Sequence, residues 1–121
     1  FVYCHSKGLP FIVHSCAFIE PLVPHMIEAG MDCLQVIEIK AGMDLLKLKK
    51  LYGDRIALFG GMDARALVAN DREWIDRELA KIPEAMAGSG YILHSDHSIT
   101  DQVEYETYRY FVDRGLEIGT Y

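Results

Sequence analysis

Histidine and cysteine occur two residues apart near the start of the chain, at His14 and Cys16. An imidazole nitrogen and a thiolate sulfur are preferred donors for zinc, and three protein donors leave the open coordination position that catalytic zinc requires. His97 and His94, much later in the chain, are the candidates for the third donor. The spacing therefore predicts either a zinc site or a polar pocket that holds no metal.

Acidic residues near the middle of the chain are further candidates. Glu38 lies two residues before Lys40, so it is a metal ligand, a general base or the salt-bridge partner of that lysine. Asp63 follows a pair of glycines, which lets the backbone approach a ligand closely. The alternative for Asp63 is the N-cap of a short helix over residues 64–68. Asp96, next to His97, is a candidate for orienting that imidazole.

Four short apolar runs alternate with amphipathic segments, and this alternation predicts β-strands that are joined by α-helices. We predict the strands at residues 11–13, 33–37, 56–59 and 91–93. Strands that are buried on both faces and joined by helices form a parallel sheet. The predicted fold is therefore α/β, a parallel (βα)4 unit that is half of a TIM-type (β/α)8 barrel. A flavodoxin-like open sheet is the competing fold.

The predicted strand ends explain why the polar residues belong together. In parallel α/β folds, ligands bind at the carboxyl ends of the strands. His14 and Cys16 follow the first predicted strand, Glu38 the second, Asp63 the third and His94 the fourth. We therefore expect these side chains to share one edge of the sheet.

The helix boundaries are predicted from capping residues and breakers. Helical spacing of apolar residues predicts a helix over residues 19–27, which Pro24 kinks or delays, and another over 45–52, which Gly53 closes. Asn70 to Glu73 is typical of a capping box that opens a helix reaching Ile82. The last helix is predicted to begin at Asp101 and to end at Gly115.

Composition limits the function classes. The chain has 121 residues, half of them hydrophobic, which suits one domain with a core. A formal net charge of −6 argues against nucleic-acid binding, and the absence of an apolar run of about 18 residues argues against a membrane partner. Three cysteines fit no disulfide framework, which favours a reduced, cytoplasmic protein. Residues 1–7 are interpreted as the end of a helix, and no initiator Met precedes them. We therefore expect residues 1–121 to be a single domain truncated at its N-terminus.

Several segments occur together in a familiar order: GLPFIVHSC (8–16), IEAGMD (27–32), YGDR (52–55), FGGMD (59–63), GYILHSDHSI (90–99) and YETYRY (105–110). In these segments the sequence resembles the C-terminal part of the uroporphyrinogen decarboxylase superfamily. That superfamily also contains cobalamin-dependent methyltransferases that carry methyl groups to thiols. The resemblance covers essentially the whole chain and implies the last four units of a (β/α)8 barrel.

The two branches of the superfamily imply different chemistry. The methyltransferase branch uses zinc held by a His-x-Cys motif and a late cysteine, so the resemblance implies His14, Cys16 and His97 as ligands, with His97 in place of that cysteine. A porphyrinogen decarboxylase needs no metal, and it binds its tetrapyrrole partly with the first half of the barrel. A second departure is Ala17-Phe18, where relatives usually have Gly-Asn.

The closer match, to the methyltransferase branch, implies zinc-dependent methyl transfer to a small-molecule thiol, with the methyl group supplied by a corrinoid on a partner protein. Glu38 and His97 are then the expected catalytic residues. The substrate is expected to contact Asp63, Arg65, His94 and Asp96. The alternatives are a metal-free decarboxylase acting on a tetrapyrrole and a catalytically inactive half-barrel. Because four parallel strands cannot close by themselves, we also expect the chain to form a homo-oligomer, a dimer that rebuilds a barrel-like core.

Overall fold

The computed structural model describes residues 1–120, which form a single parallel sheet with helices between its strands. In chain order the elements are α1 (Val2–His5), β1 (Ile12–Ser15), a 3-10 turn (Glu20–Leu22), α2 (Val23–Glu28), β2 (Cys33–Val36), a 3-10 turn (Ile39–Ala41), α3 (Leu45–Tyr52), β3 (Ala57–Gly60), α4 (Ala64–Val68), α5 (Arg72–Leu79), α6 (Ile82–Met86), β4 (Tyr91–Ile92) and α7 (Tyr105–Ile118). The predicted alternation of strands and helices is confirmed.

The order of the strands distinguishes the two predicted folds. All three strand pairs are parallel, and the spatial order is β1-β2-β3-β4, the same as the order in the sequence. In a flavodoxin-like sheet the second and third strands lie on opposite sides of the first, whereas a (β/α)8 barrel adds each new strand next to the previous one. The sheet is therefore four consecutive units of a barrel-type fold, as the sequence predicts.

One face of the sheet carries the hydrophobic core. Val13, Leu34, Leu58 and Tyr91 lie side by side in the strand register, and they pack in the core with residues of the helices. Side chains alternate between the two faces of a strand. The next row, which contains His14, Gln35, Phe59 and Ile92, therefore lies on the opposite face.

Two helix boundaries predicted from the sequence are wrong. Helix α5 begins at Arg72, and its N-cap is Asp71, whose side chain accepts a hydrogen bond from the amide of Trp74. Asn70 instead adopts a left-handed conformation, with φ of 52°, at the end of α4. Helix α5 also stops at Leu79, and Ile82 begins the separate helix α6.

The last helix also differs from the prediction. Helix α7 begins at Tyr105 rather than at Asp101, and it continues through Gly115 to Ile118. Gly115 is buried against Leu93, so its lack of a side chain serves packing rather than termination. Helix α3, by contrast, spans the predicted residues, and Gly53 follows it.

Pro24 delays the second helix, as predicted. A 3-10 turn precedes α2, and Pro24 occupies its first turn, where a missing amide hydrogen costs no helical bond. None of the helices in residues 1–120 combines the length and the hydrophobicity that a membrane-spanning segment needs.

Candidate active site at the carboxyl edge of the sheet

The predicted site residues gather at the carboxyl edge of the sheet, around two neighbouring cavities. The first, which we call the His14 cavity, is lined by His14, Cys16, Gln35, Val36, His94, Asp96, His97 and Ser98. The second, the Arg65 cavity, is lined by Glu38, Lys40, Asp63, Ala64, Arg65, Val68, Asp96, His97, Ser98 and Thr100. The two cavities share three lining residues, Asp96, His97 and Ser98.

The His14–Cys16 pair is in contact. His14 is in β1, and Cys16 directly follows the last residue of that strand. Atom Nε2 of His14 lies 3.5 Å from Sγ of Cys16, while Nδ1 lies 2.9 Å from Oε1 of Gln35. The predicted donor pair is therefore assembled by the strand itself, with one ring nitrogen directed to the sulfur.

His94 and His97, which follow β4 in the chain, also line the His14 cavity. Nδ1 of His94 donates to the carbonyl of Ser95 at 2.5 Å, and its ring packs edge to face on Phe59 with centroids 5.1 Å apart. Nδ1 of His97 is 3.3 Å from the carbonyl oxygen of Ser98. In both rings Nε2 is left without a partner within the described chain.

The donor atoms at this site are of the types that zinc prefers, but their arrangement does not form a complete set of ligands. His14 and Cys16 supply the nitrogen and sulfur donors that zinc prefers. Among residues 1–120, however, no three histidine, cysteine, aspartate or glutamate side chains form a metal-binding group. His97 lines the same cavity as the pair but does not complete a cluster with it, so the zinc site stays a prediction.

Glu38 bonds to the backbone of the loop that follows β1. Its Oε2 accepts a hydrogen bond from the amide of Ala17 at 2.6 Å. Ala17 has a φ of 73°, a left-handed conformation that favours glycine. No ion pair between Glu38 and Lys40 occurs in the described residues, so the salt-bridge interpretation of Glu38 is wrong.

Asp63 is a helix cap and an ion-pair partner. It is the N-cap of α4, accepting from the backbone amide of Arg65 at 3.0 Å, which confirms the capping alternative. The guanidinium of Arg65 also binds it through Nε at 2.9 Å and Nη2 at 2.6 Å. Burial works to raise the pKa of Asp63, but the hydrogen bonds from Arg65 outweigh it and hold that pKa below its ordinary value.

An ion pair between Glu78 on α5 and Lys81 in the turn after it holds the backbone of Asp63 in place. The amide of Asp63 donates to Oε2 of Glu78 at 2.9 Å, and Nζ of Lys81 lies 2.5 Å from the same oxygen. Sequence reasoning did not identify Glu78 or Lys81, because surface charges on an amphipathic helix carry no sign of what they face.

The two glycines before Asp63 allow close packing against neighbouring parts of the protein rather than close approach to a ligand. Gly60 has a φ of 117°, and a Cβ atom on it would lie 2.0 Å from the carbonyl oxygen of Val36. A Cβ on Gly61 would meet the side chain of Leu45 at 2.9 Å. The expected close approach of this backbone is therefore to β2 and α3, which brings Asp63 to the carboxyl edge.

Asp96 is a buried clamp between loops. Its Oδ1 accepts from the amide of Ala64 at 2.8 Å, and its Oδ2 accepts from the amide of Ile39 at 2.8 Å. The carboxylate thus bonds to backbone amides and not to His97, which overturns the expectation that it orients that ring. Burial, the largest influence, raises the pKa of Asp96, although the backbone amides oppose the effect.

Gln35 is a further site residue that sequence reasoning missed. It occupies an otherwise apolar strand, and its side chain reaches the ring of His14. A single polar residue inside an apolar strand was the available signal. Its partner depends on the strand register, in which Gln35 lies directly opposite His14.

Comparisons with known proteins agree with this architecture. Residues 2–117 match the family model described as uroporphyrinogen decarboxylase (URO-D). A protein of Hahella chejuensis (strain KCTC 2396) that is named uroporphyrinogen decarboxylase is 32% identical over 102 residues, an alignment that covers 78% of this chain and 26% of that relative. The chain therefore spans about a quarter of the length of this relative.

Proposed function

The chain belongs to the uroporphyrinogen decarboxylase family, and we propose that its carboxyl edge holds zinc and activates a small-molecule thiol for methyl transfer. The observation that carries this proposal is the contact between Nε2 of His14 and Sγ of Cys16 at the end of β1. Imidazole nitrogen and thiolate sulfur are the donors that zinc prefers, whereas the decarboxylase branch that the sequence resembles needs neither of them.

The proposed ligands are His14, Cys16 and His97, all of which line the His14 cavity. Zinc bound there would supply Lewis acidity that lowers the pKa of a coordinated thiol. The chain's own part is to hold the donors at the strand ends and to accept the thiol proton. Glu38 is proposed for the proton, because only its Oε2 is used by Ala17.

The remaining substrate contacts are proposed for the Arg65 cavity. Lys40 has no ion-pair partner within residues 1–120, and Arg65 supplies donors beyond those that bind Asp63. His94 is proposed to contact the substrate through Nε2, which has no partner within residues 1–120. Asp96 is proposed to act on the substrate side by fixing the loop that lines both cavities, because its two oxygens are bound by the amides of Ile39 and Ala64. Under this proposal the methyl group comes from a corrinoid that a partner protein carries.

Zinc stoichiometry tests the proposal directly. We expect about one zinc per chain after dialysis, measured by elemental analysis, because His14, Cys16 and His97 would together supply the three protein donors of a catalytic zinc site. The variants Cys16→Ala and His14→Ala should lose the metal. Cys4→Ala is the matched control, since this free thiol lies in α1 and is not among the residues that line the His14 cavity, so the zinc content should stay unchanged.

Two results would reject zinc-dependent methyl transfer. One is a wild-type protein that takes up no zinc on titration. The other is a double variant, His14→Ala with Cys16→Ala, that still binds stoichiometric zinc.

Porphyrinogen decarboxylation is the second candidate, and the name of the Hahella relative favours it. It needs no metal, so chelator-treated protein distinguishes the two activities. Loss of carboxyl groups from a porphyrinogen substrate, unaffected by chelator and by Cys16→Ala, would support the decarboxylase. Retention of every carboxyl group by the substrate would leave this candidate without support.

A further inference from the structure

We propose that Gln35 is a positioning residue that fixes the ring and the tautomer of His14. The inference deepens the proposed function of the same site, since it concerns how His14 presents its donor atom. Gln35 acts through the histidine and does not contact the reacting atoms.

The strand register places the two side chains together. His14 in β1 and Gln35 in β2 are direct neighbours across the parallel pair, on the face of the sheet opposite the core. Because the two residues are register partners, their side chains leave the same face of the sheet as neighbours, without any help from loops. The contact of 2.9 Å between Nδ1 and Oε1 is thus a consequence of backbone pairing.

The chemistry of the contact determines the tautomer. An amide oxygen only accepts hydrogen bonds, so Nδ1 of His14 must be the donor. The neutral ring then carries its single proton on Nδ1, and Nε2 has a free lone pair. That lone pair belongs to the atom 3.5 Å from Sγ of Cys16.

This arrangement is the one that a ligating imidazole needs. Histidines that bind metals usually donate their other ring nitrogen to an oxygen acceptor, which sets the tautomer and the ring orientation. Here the acceptor is already in place in the protein alone. A purely structural role for Gln35 is less consistent with its position, because the neighbouring core is formed by the other face, through Leu34.

Nitrogen NMR of the His14 ring tests the tautomer without any metal. At mildly alkaline pH, where imidazole is neutral, the wild type should show Nδ1 protonated and Nε2 unprotonated. Gln35→Leu should shift His14 toward a mixture of tautomers, because the acceptor is gone. Gln35→Glu should restore the wild-type pattern. Gln102→Leu, at an exposed residue in the loop before α7, is the control and should change nothing.

Zinc affinity provides the second measurement. Competition with a chelator should show that Gln35→Leu binds zinc about 10–100-fold more weakly than the wild type, with affinity recovered in Gln35→Glu. Circular dichroism should confirm that all three variants retain the wild-type secondary structure.

The outcomes separate this inference from the proposed function. A wild-type protein that binds no zinc but shows the Nδ1-protonated ring, lost in Gln35→Leu, supports the role of Gln35 and rejects the zinc-dependent function. A His14 tautomer that is the same in the wild type and in Gln35→Leu overturns the inference, whether or not zinc binds.

Discussion

Asp96 shows how a single side chain shapes the carboxyl edge. It follows β4 in the chain, and its two oxygens hold the amide of Ile39, after β2, and that of Ala64, after β3. Only 3% of its surface is exposed, so each of these hydrogen bonds is made out of contact with bulk water. These two hydrogen bonds fix the loop that lines both cavities. They therefore also position the backbone of His97, the next residue in the chain.

Replacing Asp96 with asparagine should lower the free energy of unfolding by about 1–3 kcal/mol. The amide has only one acceptor oxygen, so its NH2 group would face a backbone amide that it cannot satisfy. Urea titration followed by Trp74 fluorescence measures the effect. Asp101→Asn, at an exposed position, is the control and should lie close to the wild type.

The difference in unfolding free energy between the wild type and Asp96→Asn should change with pH in one direction. The folded state raises the pKa of Asp96 above its ordinary value of 3.8, so the folded chain holds the proton more tightly than the unfolded chain. The contribution of Asp96 is therefore greatest below the unfolded pKa and decreases as the pH rises through the folded pKa. The difference in unfolding free energy between the wild type and Asp96→Asn should narrow over that rise. A difference that widens would contradict the burial account.

Among the elements, the loop after β1 is held in an unusual conformation. Ala17 has a φ of 73°, and the carboxylate of Glu38 accepts a hydrogen bond from its amide. A residue with a Cβ pays about 1–2 kcal/mol for the left-handed conformation. The loop carries Cys16 at its start, so the hydrogen bond that Ala17 donates to Glu38 stabilises the segment that places the thiol.

Ala17→Gly should therefore stabilise the protein, by about 0.5–1 kcal/mol after the entropy of the unfolded glycine is subtracted. Ala80→Gly is the matched control. Ala80 is exposed, as Ala17 is, but it follows helix α5 and its φ is −60°. That variant should be destabilised by about 0.5–1 kcal/mol. Chemical denaturation of both variants measures the difference, and equal destabilisation would show that Ala17 carries no strain.

At the scale of the whole molecule, the sheet formed by residues 1–120 has two edges, β1 and β4. Ile12 on the first edge is 51% exposed and Ile92 on the second is 45% exposed. Unpaired edges with apolar side chains promote association through strand pairing. Because all four strands run parallel, the β4 edge of one copy has the direction needed to pair with β1 of another in a closed barrel.

We therefore expect the 121-residue chain to self-associate at micromolar concentration, forming a dimer in sedimentation velocity. Ile92→Lys places a charge on the β4 edge and should shift the population toward monomer. Leu51→Lys, an exposed position on helix α3 away from both edges, should leave association unchanged. A sharp monomer boundary for the wild type would count against pairing of the open edges.

The sequence by itself determined the class of fold and the edge at which chemistry collects. Apolar runs of strand length and helical spacing of Leu45 and Leu48 depend only on residues close in sequence, so the alternation could be predicted. Placing His14 and Glu38 at one edge needed one further rule, that parallel strands align their carboxyl ends. Boundaries such as Asp71 over Asn70 were missed because either side chain can cap a helix.

Only the tertiary structure decided what each polar side chain contacts. Gln35 meets His14 because of the strand register, and Asp96 reaches Ile39 across 57 residues of sequence. Glu38 bonds to Ala17 rather than to Lys40, although the lysine is nearer in the chain. Polar side chains reach only a few ångströms, and their partners are brought into that range by the packing of the core, which positions every strand end at once.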